Sequence, residues 1–118
     1  MSIRCFLLAL KNIKEYYNEA RKGDRRQAGK KIWGAITALI KLYAAKKGVG
    51  IIYWSAGEMD RFISNNVEKK YRKLFRELLD KGQILHINFY GDNLSEEGFK
   101  ERFEEVVKLI EEAKKIVL

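Results

Sequence analysis

The chain has 118 residues, 47% of them apolar and 34% charged, with 24 Lys and Arg against 16 Asp and Glu, and no proline. One domain over residues 1–118 fits that length, and the apolar share is enough to close a core, so a disordered tail is excluded. At average usage about six prolines would be expected, and their absence favours helices; the formal charge of +8 points to an anionic partner, whether nucleic acid, nucleotide or membrane surface.

Helical periodicity runs along nearly the whole chain. A first helix is expected over about residues 2–22, with Phe6, Leu10, Ile13, Tyr17 and Ala20 on one stripe and Gly23 ending it. Asp24 and Gln27 form a capping box that opens a second helix. That helix runs to about residue 47 with Ala28, Ile32, Ala35, Ile36, Leu39 and Tyr43 on its apolar face, and Gly48 and Gly50 stop it. Residues 51–54 read as a buried connection. Ser55 with Glu58 caps a short third helix, and residues 65–68 mark a break.

A fourth helix is expected over about residues 67–90, with Tyr71, Leu74, Phe75, Leu78, Leu85 and Phe89 inward. Gly82 lies inside it; a mid-helix glycine costs up to about 1 kcal/mol, so it marks a kink or a close helix approach. After a turn at Gly91, Asp92 and Asn93, either Ser95 or Asn93 caps the last helix, whose stripe is Phe99, Phe103, Val106, Leu109, Ile110, Ala113 and Val117. Short connections predict antiparallel neighbours. The expected fold is all-α, an antiparallel bundle of about five helices.

Cys5 is the single cysteine, which allows no internal disulfide and makes a reducing, cytoplasmic compartment the default. The apolar run at residues 5–10 is too short for a signal peptide, and no run approaches the roughly 18 apolar residues that span a bilayer. No membrane partner is expected. One His and one Cys cannot supply a closed zinc site, so neither a metal nor a cofactor is expected. Gly48-Val49-Gly50 follows no strand and makes no phosphate loop. His86 is the only histidine and thus the only catalytic candidate. Its helical neighbours Leu79, Gly82 and Tyr90 favour a packed histidine with an interhelical hydrogen bond.

The charge is uneven. Residues 1–50 hold twelve basic and three acidic side chains, net +9, whereas residues 51–118 hold twelve and thirteen, net −1. At 100° per residue Arg26, Lys30, Thr37 and Lys41 form a ridge roughly opposite the apolar face of the second helix, with Trp33 at its edge. Such a ridge tracks phosphates and the indole stacks on a base; the competing reading is a solvated face, with Trp33 completing the core. The candidate nucleic-acid or nucleotide-binding residues are Arg21, Arg25, Arg26, Lys30, Lys41 and Trp33. In Trp33-Gly34-Ala35 the two small residues are expected to admit another helix closely.

Ala20-Arg21-Lys22-Gly23-Asp24, Gln27-Ala28, Lys31, Trp33-Gly34-Ala35, Ile40-Lys41 and Ala44, followed by Leu85-His86-Ile87-Asn88-Phe89-Tyr90, resemble two signature blocks of the archaeal PaREP-type family, in the same order over residues 20–90. That family is grouped with the HEPN-like helical domains, so the resemblance implies a HEPN-like bundle, often a homodimer. HEPN ribonucleases carry Arg, four to six intervening residues, then His. Here the corresponding positions before His86 hold Lys81, Asp80 and Leu79, and Arg76 is further upstream, so that motif is not matched.

The resulting expectation is a non-catalytic binding or assembly module whose basic surface meets nucleic acid or nucleotide. Two alternatives stand beside it. One is a degenerate HEPN-type ribonuclease using His86 with Lys81 or Arg76; the other is a protein partner of a nucleotidyltransferase. Ile51, Ile52, Tyr53, Trp54, Phe62 and Ile63 are expected to leave an apolar patch that a second copy covers.

Overall fold

Helix boundaries follow from local chemistry at each end. The computed structural model describes residues 3–20, 25–50, 55–91 and 94–118. They form α1 (Ile3–Ala20), α2 (Arg25–Lys46), α3 (Ala56–Asn66), α4 (Lys69–Gly91) and α5 (Glu96–Val117), with no strand among the described residues. Ser55 accepts the Glu58 N–H at the start of α3 and Ser95 accepts the Gly98 N–H at the start of α5, each satisfying an orphan donor of a first turn. Ser95, rather than Asn93, is therefore the cap. Gly48 takes φ 69°, the left-handed conformation that glycine adopts without Cβ strain, and the N–H groups of Gly48 and Val49 return to the carbonyls of Ala45 and Ala44.

The break after α3 falls slightly later than the sequence pattern suggests. Val67 is extended and buried, and its N–H closes on the Ile63 carbonyl, so α4 starts at Lys69. Arg72 donates to the Val67 carbonyl at 2.9 Å and pins this corner. The Asp24 capping box, the connection at residues 51–54 and the turn at Asp92 and Asn93 lie outside the described residues. So do the side chains of Phe6, Tyr17, Ala20 and Phe89.

α2 is the central helix. It packs against α1, α4 and α5, while α4 also carries α3 and α5. The single apolar face expected for α2 is accordingly too narrow. Ala38, Ile40, Leu42 and Ala44 are buried beside the expected Ala28, Ile32, Ala35, Ile36, Leu39 and Tyr43. With neighbours on several sides, the second half of the helix is covered almost all round, which its alanines permit by leaving room for adjacent backbones.

Direction is fixed by the contacts. Along α2 and α4 the pairs run Gly29 with Leu85, Trp33 with His86 and Tyr43 with Phe75, so these helices are antiparallel. Arg25 donates to the Leu94 carbonyl at 3.3 Å and Lys46 to the Val117 carbonyl at 2.8 Å, so α5 runs parallel to α2. α4 and α5 are then antiparallel, joined by the Lys81–Glu105 ion pair. The extents of 41 × 25 × 25 Å match long helices lying side by side, since 22 residues span about 33 Å.

α3 is docked through Phe62, whose ring meets Tyr43 edge-on at 5.9 Å, and through Asp60, which pairs with Arg76 at 3.3 Å. Phe62 and Ile63 are buried. They close the bundle instead of contributing to an exposed apolar patch.

Candidate functional site

The seam between α2 and α4 gathers the residues that the sequence singles out. Two glycines set its closeness. A Cβ at Gly29 would fall well inside contact distance of the Leu85 carbonyl oxygen, and one at Gly82 would press on Ile36 Cδ1 and come within 3.2 Å of the Trp33 ring. Gly82 thus marks a close helix approach, as its position suggests. The Trp33-Gly34-Ala35 block divides: Ala35 is fully buried in the core as expected, but Gly34 is exposed with open space beyond it, and the glycine that admits α4 on this helix is Gly29. The register of α2 turns position 34 outward.

His86 packs in this seam. Its ring stacks on Trp33 with centroids 5.4 Å apart and planes 23° from parallel. The partial burial lowers its pKa below the ordinary 6.5 by penalising the charged imidazolium. The sign follows from linkage: the unfolded chain binds the proton more readily, so this contribution to stability is complete above about 6.5 and declines as pH falls toward the lowered folded value. A stability–pH profile between pH 7 and 5 should fall for the wild type and flatten for His86→Phe, which keeps a ring against Trp33. An unchanged slope in the variant would remove His86 as the cause.

The cations expected to serve His86 are directed elsewhere. Lys81 is paired with Glu105 of α5, which raises its pKa chiefly through that hydrogen bond. Arg76 is engaged by Asp60 and Ser64 of α3. Successive turns of α4 point Arg76 to one neighbouring helix and Lys81 to another, while His86 faces α2.

The basic ridge lies on an exposed side of α2. Arg26 and Lys30 are exposed, Thr37 and Lys41 are half-exposed, and Trp33 is half-buried at the ridge's edge. The ridge ends at Ala44, which lies in line with Arg26 but is buried. Arg25 points away from it, tying α2 to the segment before α5. Arg21 lies outside the described residues.

A second feature is not legible in the sequence. α1 and α5 both pack on α2, and between them lies a groove of about 500 Å³ lined by Ile13, Phe103 and Val107 together with Lys14, Asn18, Glu104 and Lys108. Ile13 and Phe103 are on the expected core stripes and are buried; that a groove lies between them is a property of helix placement. Among the described residues no helix is long and apolar enough to cross a membrane, and no three His, Cys, Asp or Glu side chains are gathered to hold a metal.

The sequence profile described as the Archaeal PaREP1/PaREP8 family matches residues 5–110. No curated protein and no solved structure matches the chain.

Proposed function

The chain belongs to the archaeal PaREP1/PaREP8 family, and from that premise we propose that it is a helical binding module whose α2 ridge meets the phosphates of a nucleic acid. One observation carries this reading: the positive excess of the whole chain lies in residues 1–50, net +9 against −1 for the rest. Part of that excess is displayed on a solvent-facing side of the central helix, as Arg26, Lys30 and Lys41. A row of cations on a rigid helix neutralises phosphates and releases their counterions. A catalytic role for His86 receives less support, because its ring is stacked on Trp33 and both Lys81 and Arg76 are held by other helices.

The test is a salt titration of affinity for a short oligonucleotide. For single strands the slope of log K against log salt is about −0.7 per phosphate contact, so Arg26→Ala with Lys30→Ala should flatten it by about 1.4 and weaken binding. Lys100→Ala with Lys115→Ala removes the same charge from exposed positions of α5 and should change neither. Equal effects from the two pairs would mean that net charge alone attracts the ligand and that the ridge is a solvated face.

A further inference from the structure

The second half of the chain is nearly neutral as a whole and strongly basic in one place. Lys69-Lys70-Tyr71-Arg72-Lys73 puts four cations into five residues at the start of α4. Because α2 and α4 run antiparallel, this run meets the far end of α2, where Lys46 closes the helix and Lys47 follows it. Two tyrosines support the lysines. Lys47 Nζ stands 5.1 Å from the centre of the Tyr43 ring, and Lys70 Nζ stands 5.0 Å from that of Tyr71. Burial, then Glu68, then Tyr71 raise the pKa of Tyr43, so the start of α4 lies within electrostatic reach of that ring. Lys46 reaches across to the Val117 carbonyl, which brings the end of α5 to the border of the same surface.

Residues 46–47 and 68–73 thus gather Lys46, Lys47, Lys69, Lys70, Arg72 and Lys73 against Glu68 alone, net +5. The five lysines are exposed, and Arg72 is half-buried with its guanidinium on the Val67 carbonyl. Acids on the adjoining helices do not offset this excess, because Glu58 is paired with Arg61 and Glu111 with Lys114. At 100° per residue Lys46 and Lys47 turn about 140° and 120° away from Lys41, so this surface is not a continuation of the ridge. Gathering the cations costs stability. They repel one another, and Lys69 and Lys70 crowd the positive end of the α4 dipole, where α3 and α5 carry Glu58, Glu96 and Glu97 instead.

The chemistry of this end selects among anionic partners. Protein interfaces are depleted of lysine and built on apolar and aromatic centres, and a helix seated in a lipid surface buries an apolar face. Of the exposed large apolar side chains only Leu118 belongs to the chain segments that meet here. Lysines present point charges without the planar fork that selects a partner by geometry, and charge alone suffices for contact with a phosphate backbone. We infer that the end of the bundle where α2 finishes and α4 begins is a second nucleic-acid surface, with Lys47, Lys69, Lys70 and Lys73 on the phosphates. It shares the ridge's partner and none of its residues, so each surface stands or falls by itself.

The experiment uses the full chain carrying Arg26→Ala and Lys30→Ala, which disables the ridge, with a twelve-base-pair duplex followed by fluorescence anisotropy over a range of salt. Adding Lys69→Ala and Lys73→Ala should weaken binding and flatten the slope of log K against log salt by about 1.8, two phosphate contacts' worth. Both positions are exposed and alanine is the best helix former, so the thermal midpoint should equal or exceed that of the parent. Lys100→Ala with Lys115→Ala, added in their place, removes the same charge and should change neither slope nor affinity, since Lys115 lies about 200° round α5 from the buried Ala113. No duplex binding by the ridge-disabled chain, no effect of the Lys69 and Lys73 pair, or an equal effect of the α5 pair would each overturn the second surface. Binding to phosphatidylserine vesicles that this pair abolishes, with duplex binding kept, would make a lipid surface the occupant and overturn the assignment to nucleic acid. In the otherwise wild-type chain, a loss from the Lys69 and Lys73 pair with none from Arg26→Ala and Lys30→Ala would support this surface and overturn the ridge instead.

Discussion

Gly29→Ala is expected to destabilise the protein by about 1–3 kcal/mol, although alanine is the better helix former by up to about 1 kcal/mol. The added methyl would meet the Leu85 carbonyl oxygen and carbon, which belong to the backbone of α4. No rotamer change relieves such a clash, so α2 and α4 must separate, and every contact along their seam loosens together. Gly82→Ala should cost less. Its methyl meets the tip of the Ile36 side chain, which can move, and the Trp33 ring at 3.2 Å. Gly34→Ala meets nothing and should raise stability by up to about 1 kcal/mol. Urea denaturation midpoints should therefore rank Gly34→Ala above the wild type, then Gly82→Ala, then Gly29→Ala. A Gly29→Ala midpoint at or above that of the wild type would mean that the two helices do not approach at this point.

Phe75→Ala is expected to cost more still, about 3–5 kcal/mol, against the 5–15 kcal/mol or so that holds a typical domain together. The Phe75 side chain is fully buried, its ring centroid lies 5.3 Å from that of Tyr43, and Tyr43 in turn meets Phe62 edge-on. These three rings join α4, α2 and α3. Burial in this cluster also raises the pKa of Tyr43. Because α3 packs mainly on α4, a cavity at Phe75 should release α3 first. Denaturation measures the total loss, and amide hydrogen exchange along residues 56–66 should accelerate more than exchange in α5. Uniform acceleration across all helices would show that α3 does not depend on the ring cluster.

Much of the fold is legible in the sequence, because it is decided by interactions a few residues apart. Ser55 and Ser95 cap because a hydroxyl reaches the backbone N–H three positions on. Gly48 ends α2 because only the left-handed turn brings the following N–H groups back to the helix carbonyls. The periodic stripes of α4 and α5 bury much as their spacing requires, with Phe75, Leu78, Leu85, Phe99, Phe103 and Val106 inside. The five-helix order follows from these signals.

The candidate site is legible only in part. The ridge of Arg26, Lys30 and Lys41 follows from angular arithmetic on one helix, and the structure leaves it on the surface. Sequence spacing alone gives no hint that Trp33 would rest on His86, since the two are 53 positions apart and meet because α2 and α4 run antiparallel. Nor does it say which small residue admits the neighbouring helix. Gly29 and Gly34 are alike as residues, and they differ only in the direction each faces.

The sequence by itself determines, to within a few residues, the five helices found among the described residues, and that the positive charge belongs to the first half of the chain. Tertiary structure alone decides that α2 is the central helix, that Gly29 meets a neighbouring backbone while Gly34 faces solvent, and that Lys81 and Arg76 turn away from His86. The physical reason is range. Caps, periodicity and charge act within a turn or two of one helix, whereas burial and contact depend on how many neighbours a helix has and at which angle each arrives.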